Sequence, residues 1–163
     1  MSYNVLFLCT GNSARSIMAE ALLGVLGKDR FVAYSAGSHP GGYVQPLAAK
    51  FATTLGYPAE KLRSKSWDEY AVLGAPRMDF IITVCDNAAG EVCPIWPGQP
   101  IAAHWGIADP AAVEGNEDKR RAAFRNAFTI LRRRVALLIA LPDDKLKGLA
   151  AQSALREIAQ STP

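Results

Sequence analysis

Long apolar runs, histidine, cysteine and net charge are all scarce in this chain. Val5–Leu8 is the longest apolar stretch near the start, too short for the core of a secretory leader, and Val135–Leu141 is seven residues against the roughly twenty of a membrane-spanning helix. The expected setting is the cytoplasm, with no membrane partner. Formal charge is only +3, too slight to predict nucleic-acid binding although suited to an anionic substrate. His39 and His104 lie far apart and the cysteines lack Cys-x2-Cys spacing, so no zinc site is expected. Three cysteines cannot all pair within one chain, and in a reducing compartment they are reactive or buried thiols rather than staples. No repeat, low-complexity tract or linker divides the 163 residues, a length that makes about one domain.

What is present is an alternation of strand, loop and helix. Tyr3–Cys9 is dense in Val, Leu and Phe, Thr10–Arg15 is small and polar, and Ser16–Leu26 places Ile17, Ala21 and Val25 on one helical face before Gly27. A second strand is expected at Phe31–Ser35, helices at Pro46–Leu55 and Ser66–Leu73, a third strand at Asp79–Cys85 and a fourth at Ile101–His104. Asp86–Pro100, with two glycines and three prolines, reads as a long loop. Phe124, Phe128, Leu131, Val135 and Leu138 recur at three- and four-residue steps through a long helix, on which Lys119–Arg121 and Arg132–Arg134 read as solvated faces.

The expected fold is α/β: a doubly wound four-stranded parallel sheet in the order 2-1-3-4 with helices on both faces. Residues 1–141 form a single catalytic domain, and 142–163 a C-terminal extension that is helical or flexible. Ligands of such sheets lie beyond the carboxyl ends of the strands at the switch point, here between the first and third. Cys9 closes one of these strands and Cys85 the other. Neighbouring strands lie about 4.8 Å apart, within the Cα separation of about 4.4–6.8 Å that a disulfide spans. The two thiols could therefore pair with little backbone movement.

The loop Cys9-Thr10-Gly11-Asn12-Ser13-Ala14-Arg15-Ser16 has the chemistry of an oxyanion cradle. Its consecutive backbone amides, the positive end of the following helix and the two-point contact of a guanidinium suit a tetrahedral anion, and its small residues allow close approach. The same field favours thiolate over thiol at Cys9, and a thiolate facing an oxyanion centre is a nucleophile. Asn12 tolerates the positive φ that a tight loop needs, and Ser16 can donate to the sulfur. The loop is neither a Walker sequence nor a dinucleotide motif.

VLFLCTGNSARSIMAE, Val5–Glu20, resembles the opening of the arsenate reductases built on the low-molecular-weight protein tyrosine phosphatase fold. The likeness continues through Tyr34-Ser35-Ala36-Gly37, Thr83-Val84-Cys85-Asp86, Cys93-Pro94 and His104-Trp105-Gly106-Ile107-Ala108-Asp109-Pro110. It implies a phosphatase I-like fold in which Cys9 attacks arsenic or phosphorus, Arg15 and the loop from Thr10 to Ser16 hold the oxygens, and Asp109 protonates the leaving oxygen. It further implies that Cys85 attacks the Cys9-arsenic adduct and that Cys93 then takes over the disulfide by thiol exchange. No tightly bound cofactor is implied, only an external thiol reductant. The resemblance points to the thioredoxin-coupled type, but seven residues separate Cys85 from Cys93, one more than that pattern, so glutaredoxin with glutathione stays beside thioredoxin as the partner.

Phosphatases of this fold follow their Asp-Pro with aromatic residues, whereas Ala111 and Ala112 follow here, which favours arsenate, with phosphate as its analogue, over an aryl substrate. A weak phosphatase side activity is expected. A low-molecular-weight phosphatase, a non-catalytic oxyanion-binding module and a merely packed Cys93 remain open as alternatives. Some family members bind potassium near the loop, and Asn12, Glu20, Ser35 and Asp68 resemble those ligand positions.

Overall fold

Tyr3–Cys9 forms β1, and its near-continuous apolar composition is that of a parallel strand covered on both faces. The structure is a computed structural model that describes residues 2–86, 94 and 96–161. Parallel partners flank β1: β2 (Phe31–Gly37) on one side and β3 (Phe80–Thr83) on the other, with β4 (Ile101–His104) beyond β3. The order is β2-β1-β3-β4, as the alternation of elements implies. Cys9 stands opposite Gly37, and Leu8 stands opposite both Ala36 and Thr83, so three strands end together at one edge.

Successive side chains of β1 point to opposite faces. Val5, Phe7 and Cys9 enter the main apolar cluster with residues of α1 (Arg15–Leu26), α2 (Pro46–Leu55), α3 (Glu117–Ile139) and α4 (Gly148–Ser161). Leu6 and Leu8 face the other way, against Trp67, Tyr70, Met78 and Ile81. Asn116 caps α3 by accepting the Lys119 N–H at 2.9 Å, and Glu117 and Asp118 complement the helix dipole there. Among the described residues no helix is long and apolar enough to cross a membrane.

Several expectations change on the structure. Ser66–Leu73 is not a full helix but a short 3-10 helix, Trp67–Tyr70. Its two aromatic rings, three residues apart, both sink into the second cluster, and that spacing eclipses in the tighter turn. β2 runs on to Gly37 because Ala36 and Gly37 continue to pair with Leu8 and Cys9. β3 ends at Thr83, so Cys85 lies just beyond the strand. Arg134 belongs to no solvated face: it is 4% exposed and donates to the carbonyls of Trp105 at 2.8 Å and Gly106 at 3.3 Å. The tail after Pro142 is helical over Gly148–Ser161, with Ala151, Leu155 and Ile158 buried in the main cluster.

Candidate active site

The loop between β1 and α1 folds back onto the end of β2. A Cβ on Gly37 would lie 2.5 Å from the Thr10 carbonyl oxygen and 3.0 Å from the Asn12 nitrogen, so the backbone can approach this closely only at glycine. Asn12 takes the left-handed conformation at φ 46°, which asparagine tolerates better than most residues. The loop carbonyls are held from outside. Thr10 accepts from the His39 N–H at 2.9 Å, Gly11 from the Gly41 N–H and the Ser64 hydroxyl at 3.1 Å each, and Ser13 from the Gln45 N–H at 2.9 Å. On the inner side the Asn12 N–H points at Cys9 Sγ, 3.2 Å away. No side chain caps α1 and no acidic residue sits in its first turn, so the positive end of its dipole faces the loop.

Cys9 Sγ lies 2.9 Å from Ser16 Oγ. Asn12 Nδ2 already donates to Ser16 Oγ at 2.8 Å, which leaves the serine's own proton to point at the sulfur. The second Nδ2 hydrogen goes to Ser35 Oγ at 3.1 Å, and Ser35 in turn donates to Glu20 at 2.6 Å. Tyr57 also donates to the Glu20 carboxylate. Burial, with that carboxylate beside it, pushes the Tyr57 hydroxyl far above its usual range and keeps it a donor. A chain of oriented donors thus runs from Asn12 both to the Cys9 sulfur and to the buried Glu20 carboxylate.

Arg15 reaches across the mouth of the loop, donating to the Ile107 carbonyl at 3.1 Å with Asp109 at 3.7 Å. Asp109 also accepts the Ala111 N–H at 2.9 Å and so caps the turn Pro110–Ala112. Cys85 is 2% exposed, and the Thr10 hydroxyl, next in chain to Cys9, lies 3.6 Å from its sulfur. Cys9, Arg15, Cys85 and Asp109 therefore gather at the carboxyl ends of β1, β3 and β4. Cys93 lies outside the described residues. His104 ties two of those ends together, with Nδ1 2.7 Å from Thr83 Oγ1 and Nε2 2.7 Å from Asp86 Oδ1.

Three residues of this framework escape the sequence reading. Tyr57 and Lys65 sit in polar, aperiodic segments that carry no signal of burial. Arg134 does carry one: it falls three residues after Leu131 and four before Leu138, on the apolar stripe of α3. Its guanidinium, with the Leu155 carbonyl that accepts Trp105 Nε1–H at 3.0 Å, anchors the start of the segment that ends in Asp109. Lys65, 6% exposed, stands among Asn12, Glu20 and Ser35. Asp68 does not join them in burial and lies exposed on the next turn.

Residues 4–152 match the family described as low molecular weight phosphotyrosine protein phosphatase. An arsenate reductase of Halalkalibacterium halodurans is 36% identical over 131 residues, which cover 80% of this chain and 91% of that protein. Among solved structures, the arsenate reductase of Archaeoglobus fulgidus superposes with a TM-score of 0.65 at 29% identity, covering 84% of this chain and 99% of that one. A low molecular weight phosphotyrosine phosphatase of Vibrio cholerae, 18% identical, has a TM-score of 0.62 and covers 94% of both chains, a likeness of fold.

Proposed function

The chain belongs to the low molecular weight phosphotyrosine protein phosphatase family, and from that membership we propose that it reduces arsenate to arsenite through a cysteinyl-arsenic adduct and a relay of intramolecular disulfides. The observation that carries this reading is a second buried thiol, Cys85, one strand from the nucleophile and in reach of Thr10. Hydrolysis of a phosphate ester gives such a thiol no task. Similarity to arsenate reductases supports the same substrate.

Arsenate enters the loop and Arg15 exchanges Asp109 for two of its oxygens, which leaves Asp109 beside the oxygen that departs. Cys9 Sγ attacks arsenic, an arsenic-oxygen bond breaks, and Asp109 protonates the leaving oxygen, which departs as water. Cys85 Sγ then attacks Cys9 Sγ. As the disulfide forms, the electron pair of the sulfur-arsenic bond passes to arsenic, which leaves as arsenite, two electrons richer. Cys93 attacks Cys85, releasing the Cys9 thiolate, and an external dithiol reduces the Cys85–Cys93 disulfide. Thioredoxin, or glutaredoxin with glutathione, supplies those electrons in a cytoplasmic setting. No tightly bound cofactor takes part.

Phosphate enters the same cradle, so slow hydrolysis of small aryl phosphates accompanies the main reaction. Ala111 and Ala112 build no aromatic wall after Asp109, which disfavours phosphotyrosine. The test is arsenite release by the purified chain with thioredoxin and its reductase, and separately with glutaredoxin and glutathione. Stoichiometric arsenite with one of them is expected. Thiol-independent aryl phosphate turnover without any arsenite would replace the reading by a phosphatase.

A further inference from the structure

Beneath the anion loop the protein buries a cation. The Lys65 ammonium lies 2.8 Å from the Arg63 carbonyl, 3.4 Å from Ser35 Oγ, 3.5 Å from Asn12 Oδ1 and 3.8 Å from Glu20 Oε1. Asn12, Glu20 and Ser35 are three of the positions that resemble the potassium ligands of some relatives, and here they surround Nζ. A metal ion at this place would have to displace the ammonium, and exposed Asp68 lies outside the buried group. The donor set does not fit a metal ion while Lys65 is seated.

We propose that Lys65 is a tethered monovalent cation, a positioning residue whose ammonium orders the anion loop from within the chain and makes that order independent of potassium. It acts through Asn12. The Lys65 backbone N–H donates to Asn12 Oδ1 at 2.9 Å and Nζ approaches the same oxygen, which fixes the amide so that Nδ2 faces Ser16 and, through it, Cys9. The charges around Nζ fit a resident cation. Glu20 faces it from α1, with the Tyr57 hydroxyl on the far side of that carboxylate, while Arg63 of its own segment is paired with Glu69 at 2.7 and 3.0 Å. Burial pulls the lysine below its ordinary pKa and the Glu20 charge works against that pull.

The experiment measures phosphate affinity and thermal unfolding of the full chain in potassium chloride and in choline chloride at equal ionic strength. Neither readout involves arsenic or thiol chemistry, so its outcome is separate from that of the reductase reading. Wild-type protein is expected to give the same affinity and midpoint in both salts. Lys65→Ala in choline should bind phosphate roughly tenfold more weakly, the scale of one lost charge-assisted hydrogen bond. Potassium should restore affinity and midpoint with a saturable dose. If Lys65→Ala does not fold in choline, recovery on refolding in potassium chloride supports the proposal and failure to recover overturns it. Wild-type affinity that rises severalfold with potassium overturns it outright. So does a folded Lys65→Ala or Lys65→Met protein that binds phosphate as wild type does, or whose loss no potassium concentration restores.

Discussion

Asn12 is the residue on which the loop turns, because every polar atom of its side chain has a fixed partner. Nδ2 donates to Ser16 and Ser35, and Oδ1 accepts from Lys65. At this scale the candidate nucleophile can be argued from sequence, since the loop from Cys9 to Ser16 is contiguous and its chemistry follows from neighbours alone. The second and third thiols are distinguished by their variants. Cys85→Ser is expected to keep slow aryl phosphatase activity and to lose multiple-turnover arsenate reduction, since a serine hydroxyl cannot form a disulfide with Cys9. Cys93→Ser should release about one arsenite per enzyme and retain a disulfide between Cys9 and Cys85. Peptide mapping after a single turnover checks this, and normal turnover of the Cys93→Ser variant would remove that residue from the relay.

At the scale of elements, the site depends on where strands stop. β2 reaches Gly37 and there meets the loop that leaves β1, at a separation no side chain permits. Gly37→Ala would force its Cβ against the Thr10 carbonyl, and that oxygen belongs to backbone, so the loop from Cys9 to Ser16 itself must shift. The expected result is a loss of phosphate affinity of about tenfold or more, by analogy with the sensitivity of such cradles to small misplacements. Circular dichroism should stay near that of wild type. Unchanged affinity, measured by calorimetry, would show the loop to be freer than its contacts imply. The alternation of apolar runs locates the strands but not their ends, because termination here is set by register with a neighbour distant in sequence. The Trp67–Tyr70 turn is misread from sequence for a related cause: its short periodic run is decided by where two rings find room.

At the scale of the whole molecule, α3 and α4 hold the segment that leads to Asp109, although neither carries a candidate site residue. Arg134 binds two of its carbonyls and the Leu155 carbonyl receives the Trp105 indole N–H. Leu155 itself is fully buried, so Leu155→Ala should cost about 2–5 kcal/mol of stability, at roughly 2–4 °C of unfolding midpoint per kcal/mol for a chain of this size. The backbone carbonyl remains, and phosphate affinity below the transition should stay within about twofold. An unshifted midpoint in calorimetry would place α4 outside the cooperative unit. The sequence by itself determined the strand and helix alternation, the parallel order and the small polar loop that joins β1 to α1, because those rest on local periodicity and on residues adjacent in the chain. Only the tertiary structure decided that Arg134 turns inward, that α4 closes the core, and that Lys65 lies beneath Cys9. Each is a polar or weakly patterned group whose burial depends on partners dozens of residues away, and a buried charge is tolerated only where the fold assembles its acceptors around it.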